Sequence, residues 1–124
     1  MLTLVLLRIY EAAETASRRG GTMHAVLLTF TSSASLDELK EPFTDYANAL
    51  RGVAGLVAKT WIREGSTIGG FHIFTSRQAA ENYLNSEMAA GLRSNPAFSD
   101  FQVLHFDVLD ELSAITGSPQ ATRA

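Results

Sequence analysis

The chain has 124 residues, of which 46% are hydrophobic and 19% charged, enough for one packed domain but not for two. Its formal net charge of −3 argues against a surface that neutralises nucleic-acid phosphates. Because there is no cysteine, disulfides, thiolate nucleophiles and cysteine metal sites are excluded. This composition is typical of a cytoplasmic protein.

The first segment, residues 1–22, differs from the rest of the chain. Leu4 and Leu7 fit one stripe of a helix, and the basic and glycine residues at 18–21 are typical of a helix end. The apolar run at residues 2–7 is far shorter than the ~20 residues of a membrane span, and no basic region or cleavage site indicates a signal peptide. We expect an N-terminal extension that is either an appendage or an integral helix, and no membrane partner.

The next elements are a strand and a helix. His24–Phe30 is a β-rich apolar run and predicts the first strand. Ser35 and Glu38 have the spacing of a capping box, which predicts a helix start, and apolar residues at helical spacing continue the helix to Leu50. Pro42 lies inside this stretch and lacks an N–H group, so a kink or a broken first turn is expected there.

A hairpin follows the first helix. Its predicted strands are Leu56–Arg63 and Ile68–Thr75. Gly65-Ser66 between them suits a two-residue type II′ turn, in which only the first central residue needs a positive φ. Such a turn fixes the register of the two strands, and therefore also which side chains share a face.

The last predicted elements are a helix, a strand and a final turn. The helix is capped at Ser76 and ends before Asn95-Pro96. Phe101–Leu109 predicts the last strand, after which Leu112 and Ile115 are expected to dock a final turn.

The resulting order over residues 23–116 is β-α-β-β-α-β, which predicts a ferredoxin-like α+β domain with an antiparallel sheet. Residues 117–124 are expected to form a flexible tail. Two helices cover only one face of a four-stranded sheet, so the other face must be polar or covered by a partner.

Alternation in the hairpin divides its side chains between two faces. The face predicted to pack against the helices carries Leu56, Ala58, Thr60, Ile62, Phe71 and Ile73. The face predicted to be uncovered carries Val57, Lys59, Trp61, His72 and Phe74. Large aromatic side chains on an uncovered face would expose an apolar patch. The pattern therefore predicts a homodimer in which two such faces pair.

Several short stretches of the domain resemble a known family. They are Leu56-Val57-Ala58-Lys59-Thr60-Trp61, Gly69-Gly70, Phe74-Thr75, Tyr83-Leu84, Phe106-Asp107-Val108, Leu112-Ser113 and Ile115. In this order and spacing they are similar to the YdhR-like monooxygenase family, over residues 23–116. The resemblance implies a dimeric α/β barrel with an apolar cavity and a monooxygenase that uses no cofactor. It does not cover residues 1–22.

Aromatic residues are the predicted cavity walls. Trp61 is the only tryptophan. It packs in a dimer interface, stacks on a flat aromatic substrate, or does both. The further predicted substrate-binding residues are Phe74, Phe71 and Phe106.

Two histidines and a lysine are the predicted catalytic residues. His72 lies opposite Lys59 in the hairpin register, and a histidine beside an apolar cavity can act as a general base. Lys59 would hold a developing phenolate or enolate by charge. Alternatively, the two are only a polar pair at the mouth of the barrel. His105, which shares a strand face with Asp107, is the next candidate for the base, and His24 approaches it only if strand pairing allows.

Three functions stay open at this point. The first is an oxygenase without metal or flavin that acts on a small aromatic or polycyclic substrate. The second is a non-enzymatic homodimeric module that binds a hydrophobic small molecule. The third is haem degradation, which would need an axial histidine and a roomy cavity. The three histidines lack metal-binding spacing, so no metal site is predicted. No Ser-His-Asp order that would indicate a catalytic triad is visible either.

Overall fold

The computed structural model describes residues 22–120, which form four strands and four helices. The predicted extension, except for Thr22, and the end of the predicted tail lie outside the described residues. In chain order the elements are β1 (His24–Ser32), α1 (Leu36–Leu50), β2 (Leu56–Glu64), β3 (Thr67–Phe74), α2 (Arg77–Leu84), α3 (Glu87–Arg93), β4 (Phe98–Asp107) and α4 (Asp110–Ile115).

The four strands form one antiparallel sheet in the order β2-β3-β1-β4. This is the ferredoxin-like arrangement, so the predicted α+β fold class is confirmed. None of the helices in residues 22–120 combines the length and hydropathy that crossing a membrane requires.

Helix α1 begins as the sequence predicts. The Ser35 side chain accepts a hydrogen bond from the Glu38 amide at 3.2 Å, and the Glu38 carboxylate accepts one from the Ser35 amide at 3.1 Å. The helix then runs unbroken across Pro42, so the expectation of a broken first turn is wrong. Pro42 is exposed, and the burial of Leu39 and Leu50 anchors the helix on either side of it.

The single helix predicted after β3 is in fact two helices, α2 and α3. Ser86 causes the break because its side chain accepts a hydrogen bond from the Ala89 amide at 3.3 Å and so caps a new helix. The same hydroxyl donates a hydrogen bond to the Tyr83 carbonyl near the end of α2.

The hairpin has the predicted turn and nearly the predicted register. Gly65 has a φ of 58°, and β2 and β3 pair as expected from Glu64 opposite Thr67 to Ala58 opposite Ile73. An irregularity between Leu56 and Ala58 then places Leu56 opposite Phe74. The predicted pair of Val57 with Phe74 is therefore wrong.

The two faces of the hairpin are exchanged relative to the prediction. The Trp61 ring lies 5.1 Å from the Phe43 ring of α1, and the His72 ring lies 5.8 Å from the Tyr83 ring of α2. Lys59, Trp61, His72 and Phe74 therefore lie on the helix-covered face. The prediction failed because both faces of β3 carry large apolar side chains, and alternation alone does not say which face the helices cover.

The uncovered face carries most of the residues predicted to pack against the helices. Because of the irregularity between Leu56 and Ala58, Leu56 packs on the helix side and Val57 on the uncovered side, as predicted. The large exposed side chains of the uncovered face are Ile62 (38% exposed), Phe71 (40%), Leu104 (50%) and Phe106 (48%). Beside them, Ala25, Ile73 and Val108 form a small buried cluster with Met23. Helix α4 flanks this face, but its Ile115 is 81% exposed, so the predicted docking of Ile115 is wrong.

Candidate functional site

A group of polar and aromatic side chains lies between the helices and the sheet. We call it the Lys59 cluster, and its members are Phe43, Tyr46, Lys59, Trp61, His72 and Tyr83. The strands contribute the lysine, the indole and the imidazole, while α1 and α2 contribute the phenyl ring and the two phenols. The cluster therefore exists only because the helices cover this face of the sheet.

Lys59 is enclosed by aromatic rings. Its Nζ lies 3.5 Å from the centroid of the Trp61 ring and 5.3 Å from that of Tyr46. The lysine stem crosses Gly70, where a Cβ atom would overlap it. Burial lowers the pKa of Lys59 to about 8. A substantial share of this side chain is therefore a free amine at mildly alkaline pH.

His72 is a neutral, oriented imidazole. It is 1% exposed, and its Nδ1–H donates a hydrogen bond to the Val26 carbonyl at 3.1 Å. Since a carbonyl can only accept, Nδ1 carries the proton, and Nε2 presents a lone pair that no group in residues 22–120 binds. Burial, with the nearby Lys59 charge, lowers the pKa of His72 to about 4, although the Val26 and Gly70 carbonyls oppose this shift.

Two tyrosines link the helices above Lys59 and His72. The Tyr46 hydroxyl of α1 and the Tyr83 hydroxyl of α2 share a hydrogen bond of 2.6 Å. Burial raises the pKa of both phenols. Both are therefore neutral at physiological pH, and each keeps its hydrogen.

Two open grooves border the tyrosine pair. The first, with a volume of about 550 Å³, lies between the α1–β2 loop and α2, and Tyr83 lines it. The second, of about 500 Å³, lies between α1 and α3, and Phe43 and Tyr46 line it. Met88 contributes to both grooves. Each groove therefore has one of the two tyrosines in its wall.

A second polar group lies on the same face of the sheet, across β1 and β4. His24 Nε2 lies 2.7 Å from His105 Nδ1, and His24 Nδ1 lies 3.8 Å from an Asp107 carboxylate oxygen. Burial is the main cause that lowers the pKa of His24, and the charge of His105 is the second. Neither histidine lines the two grooves. Within residues 22–120, no group of three or more His, Cys, Asp or Glu side chains is placed to hold a metal ion.

A family model described as "Putative mono-oxygenase ydhR" matches residues 26–119, which is most of the chain. The chain belongs to this family. The predicted resemblance is thus confirmed, and membership supports a monooxygenase-like role for this YdhR-family protein. No curated protein matches the chain.

Solved structures of the same fold include two described as oxygenases. A "putative antibiotic biosynthesis monooxygenase" from Caulobacter crescentus is 17% identical, with 77% of this chain and 97% of that chain covered and a TM-score of 0.59. SnoaB, a cofactor-independent oxygenase from Streptomyces nogalater, is 20% identical, with 70% and 93% covered and a TM-score of 0.57. The heme-degrader MhuD from Mycobacterium tuberculosis is 18% identical, with 68% and 94% covered and a TM-score of 0.54. These likenesses establish the fold.

The structure brings together only some of the residues that the sequence analysis selected in this YdhR-family chain. Lys59, Trp61 and His72 lie in one cluster, as the hairpin register requires. Phe74 stacks beside His72 with a ring separation of 6.0 Å, but it is fully buried and is core rather than an exposed wall. His105 lies apart, beside His24.

Phe71 and Phe106 do not line a cavity with Trp61. Both lie on the uncovered face, on the opposite side of the sheet from the Lys59 cluster. The prediction that they form the walls of one substrate cavity with Trp61 is wrong, because the strand pairing places them on the opposite face of the sheet.

Three members of the Lys59 cluster were missed as functional residues. Phe43 and Tyr46 were read only as parts of the apolar stripe of the first helix, and Tyr83 as part of the second helix and of the family resemblance. The available signal was the hydroxyl group: a tyrosine on the buried stripe of a helix needs a hydrogen-bond partner. Here each stripe carries one, and the two phenols satisfy each other.

Proposed function

We propose that this YdhR-family protein is a cofactor-independent monooxygenase for an electron-rich aromatic or polycyclic substrate, with Lys59 as its base. The observation that carries the proposal is the position of Lys59: an amine with a pKa of about 8 lies 3.5 Å from the only tryptophan ring and 5.3 Å from the ring of Tyr46, which lines the second groove. A general base works best when its pKa lies near the working pH.

In this reaction the substrate supplies all the electrons. The Lys59 amine removes a proton from the activated CH₂ group of an anthrone-like ring, leaving an enolate beside an ammonium ion. The anion reduces O₂ and combines with it, and a returned proton gives a hydroperoxide. Loss of water then converts the CH₂ group into a carbonyl, so one O₂ yields one C=O group and one H₂O.

Lys59 is a better base here than His72, the residue favoured by the sequence analysis. With a pKa of about 4, His72 binds a proton too weakly to retain it at neutral pH. Its neutrality helps in another way, because an uncharged neighbour does not repel the ammonium group that forms on Lys59. We assign to His72 the role of a neutral hydrogen-bond acceptor within the Lys59 cluster.

Trp61 would hold the flat substrate. In the free protein, the Lys59 ammonium group lies over the indole face in a cation–π contact. An aromatic substrate would take the place of the ammonium group on that face. The displaced group would act as the base once it has lost its proton. After it has taken the substrate proton, it would pair as an ammonium group with the substrate oxygen, where the negative charge develops.

The homodimer that the sequence predicts would form through the uncovered face. Ile62, Phe71, Leu104 and Phe106 are each at least 38% exposed, and they lie on one face of β2, β3 and β4, with Leu27 of β1 between Phe71 and Leu104. Monomeric proteins seldom expose a contiguous apolar surface of this kind. In this arrangement each protomer keeps its own Lys59 cluster on the side of the sheet away from its partner.

The proposal is tested by oxygen uptake with anthrone and quinol substrates from pH 6 to pH 10. Uptake should rise as Lys59 loses its proton, near pH 8, and Lys59→Met should abolish most of it. The matched control is Lys40→Met, since Lys40 is exposed on α1. If the same compounds quench Trp61 fluorescence but wild type consumes no oxygen, the protein is instead a binding module for hydrophobic small molecules.

A further inference from the structure

We infer that the Tyr46–Tyr83 pair binds a carbonyl or phenolate oxygen of the ligand and thereby selects oxygen-bearing aromatic rings over bare hydrocarbons. This inference deepens the proposed function and rests on it for the aromatic nature of the ligand. It assigns a specificity role to two residues of the cluster.

The Tyr46–Tyr83 pair has one hydroxyl hydrogen that the shared hydrogen bond does not use. Two hydroxyl groups joined by one hydrogen bond of 2.6 Å use only one of their two hydrogens. The phenol that accepts still has its own O–H, and within residues 22–120 no other acceptor is hydrogen-bonded to either hydroxyl. A hydroxyl that already accepts a hydrogen bond is polarised, which makes it a stronger donor. The pair therefore has an O–H group available to donate a hydrogen bond to an oxygen atom of a ligand.

The Tyr46–Tyr83 pair also lies next to both grooves. Tyr83 lines the first groove and Tyr46 the second, so the hydrogen-bonded pair has one member in the wall of each groove. Asp45 and Glu87 line the second groove and would repel a negative oxygen elsewhere along it. The Lys59 ammonium group, 5.3 Å from the Tyr46 ring, makes the sheet side of the pair the favourable place for that charge.

Burial also affects the protonation of the two phenols and of Lys59 in opposite directions. Burial raises the pKa of Tyr46 and of Tyr83, while it lowers the pKa of Lys59. The phenols therefore remain hydrogen-bond donors throughout the pH range in which Lys59 loses its proton. A substrate anion formed by Lys59 would meet neutral donors rather than a phenolate.

The test compares two ligands of the same shape, 2-acetylnaphthalene and 2-isopropenylnaphthalene, which differ by an oxygen in place of a CH₂ group. Binding is followed through the indole N–H signal of Trp61, the only tryptophan, in NMR titrations. Wild type should bind the ketone about 10-fold more tightly, the worth of one hydrogen bond to a polarised donor. The double variant Tyr46→Phe/Tyr83→Phe should bind both ligands equally.

Controls and outcomes separate this inference from the proposed function. Phe43→Leu should weaken both ligands to the same extent, because it removes only apolar contact. If the double variant does not fold, each single Tyr→Phe variant should still reduce the preference. Equal binding of the two ligands by wild type, or a preference that survives in the folded double variant, overturns the inference even if the protein consumes oxygen. A preference that depends on the tyrosines supports it even if no oxygen is consumed.

Discussion

The two faces of the sheet both carry large aromatic side chains but differ in what covers them. On the helix-covered face, Lys59 and His72 lie among aromatic rings, and their burial there lowers both pKa values. On the uncovered face, Phe71 and Phe106 are 40% and 48% exposed. The difference shows that a chain's own helices can change the pKa of an ionisable group by burying it. An apolar face without such cover instead favours association with another copy.

The largest expected effect comes from a charge on the uncovered face. Leu104→Asp should weaken the dimer by more than about 10²-fold, because a symmetric interface buries the new carboxylate twice. Leu104 is 50% exposed within one protomer, so the monomer should stay folded. Sedimentation equilibrium measures the effect, with Ala90→Asp on the exposed side of α3 as the control. A dimer of unchanged affinity would mean that this face does not associate.

On the helix-covered face, the largest effect should come from the base. Lys59→Met should lower turnover by about 10²–10⁴-fold, the usual contribution of a positioned base, and should leave the dimer intact. The wild-type profile of kcat/KM should rise with an apparent pKa near 8. A profile that rises near pH 4 and is flat through pH 8 would assign the base to His72 instead.

Burial of His72 should make folding sensitive to acid. Its pKa is about 4 in the folded chain and about 6.5 when unfolded, so the fold favours the neutral form. The resulting stability is complete above pH 6.5 and is lost as the pH falls to 4, a change of about 3 kcal/mol. Urea unfolding at pH 7 and pH 4.5 checks this. His72→Gln should show a smaller loss between the two pH values, and an equal loss in both proteins would be evidence against a buried neutral imidazole.

The smallest expected effect is that of replacing the Trp61 ring. Trp61→Phe keeps a flat ring but removes part of its area, so substrate binding should weaken by about 3-fold to 10-fold. Turnover of the bound substrate should change little, since the Lys59 amine is retained. Comparison of KM with kcat for the two proteins separates these effects. A fall in kcat alone would show that the indole does more than bind.

Local signals in the sequence predicted much of the fold, because they are decided by nearby residues. The Ser35 capping box and the Gly65-Ser66 turn each depend on a few positions, and the turn also fixed the pairing of Lys59 with His72. The break at Ser86 was missed because one apolar stripe runs through both helices.

The candidate site was predicted only in part because it depends on tertiary structure. Which face the helices cover is not encoded in the alternation of β3, so Phe71 and Phe106 were wrongly grouped with Trp61. The meeting of Tyr46 with Tyr83 requires α1 and α2 to lie side by side. The contact of His24 with His105 likewise depends on the pairing of the first strand with the last.

The most direct test of the account is a titration of the lysine side chains by NMR. The chain has only two lysines, Lys40 and Lys59, so Lys40→Arg assigns the remaining ε-carbon signal to Lys59. If Lys59 is the enclosed base of the helix-covered face, its signal should titrate with a pKa of about 8. A midpoint near the ordinary lysine value of about 10.4 would contradict the account, because the amine would then stay charged at the pH where it must accept a proton.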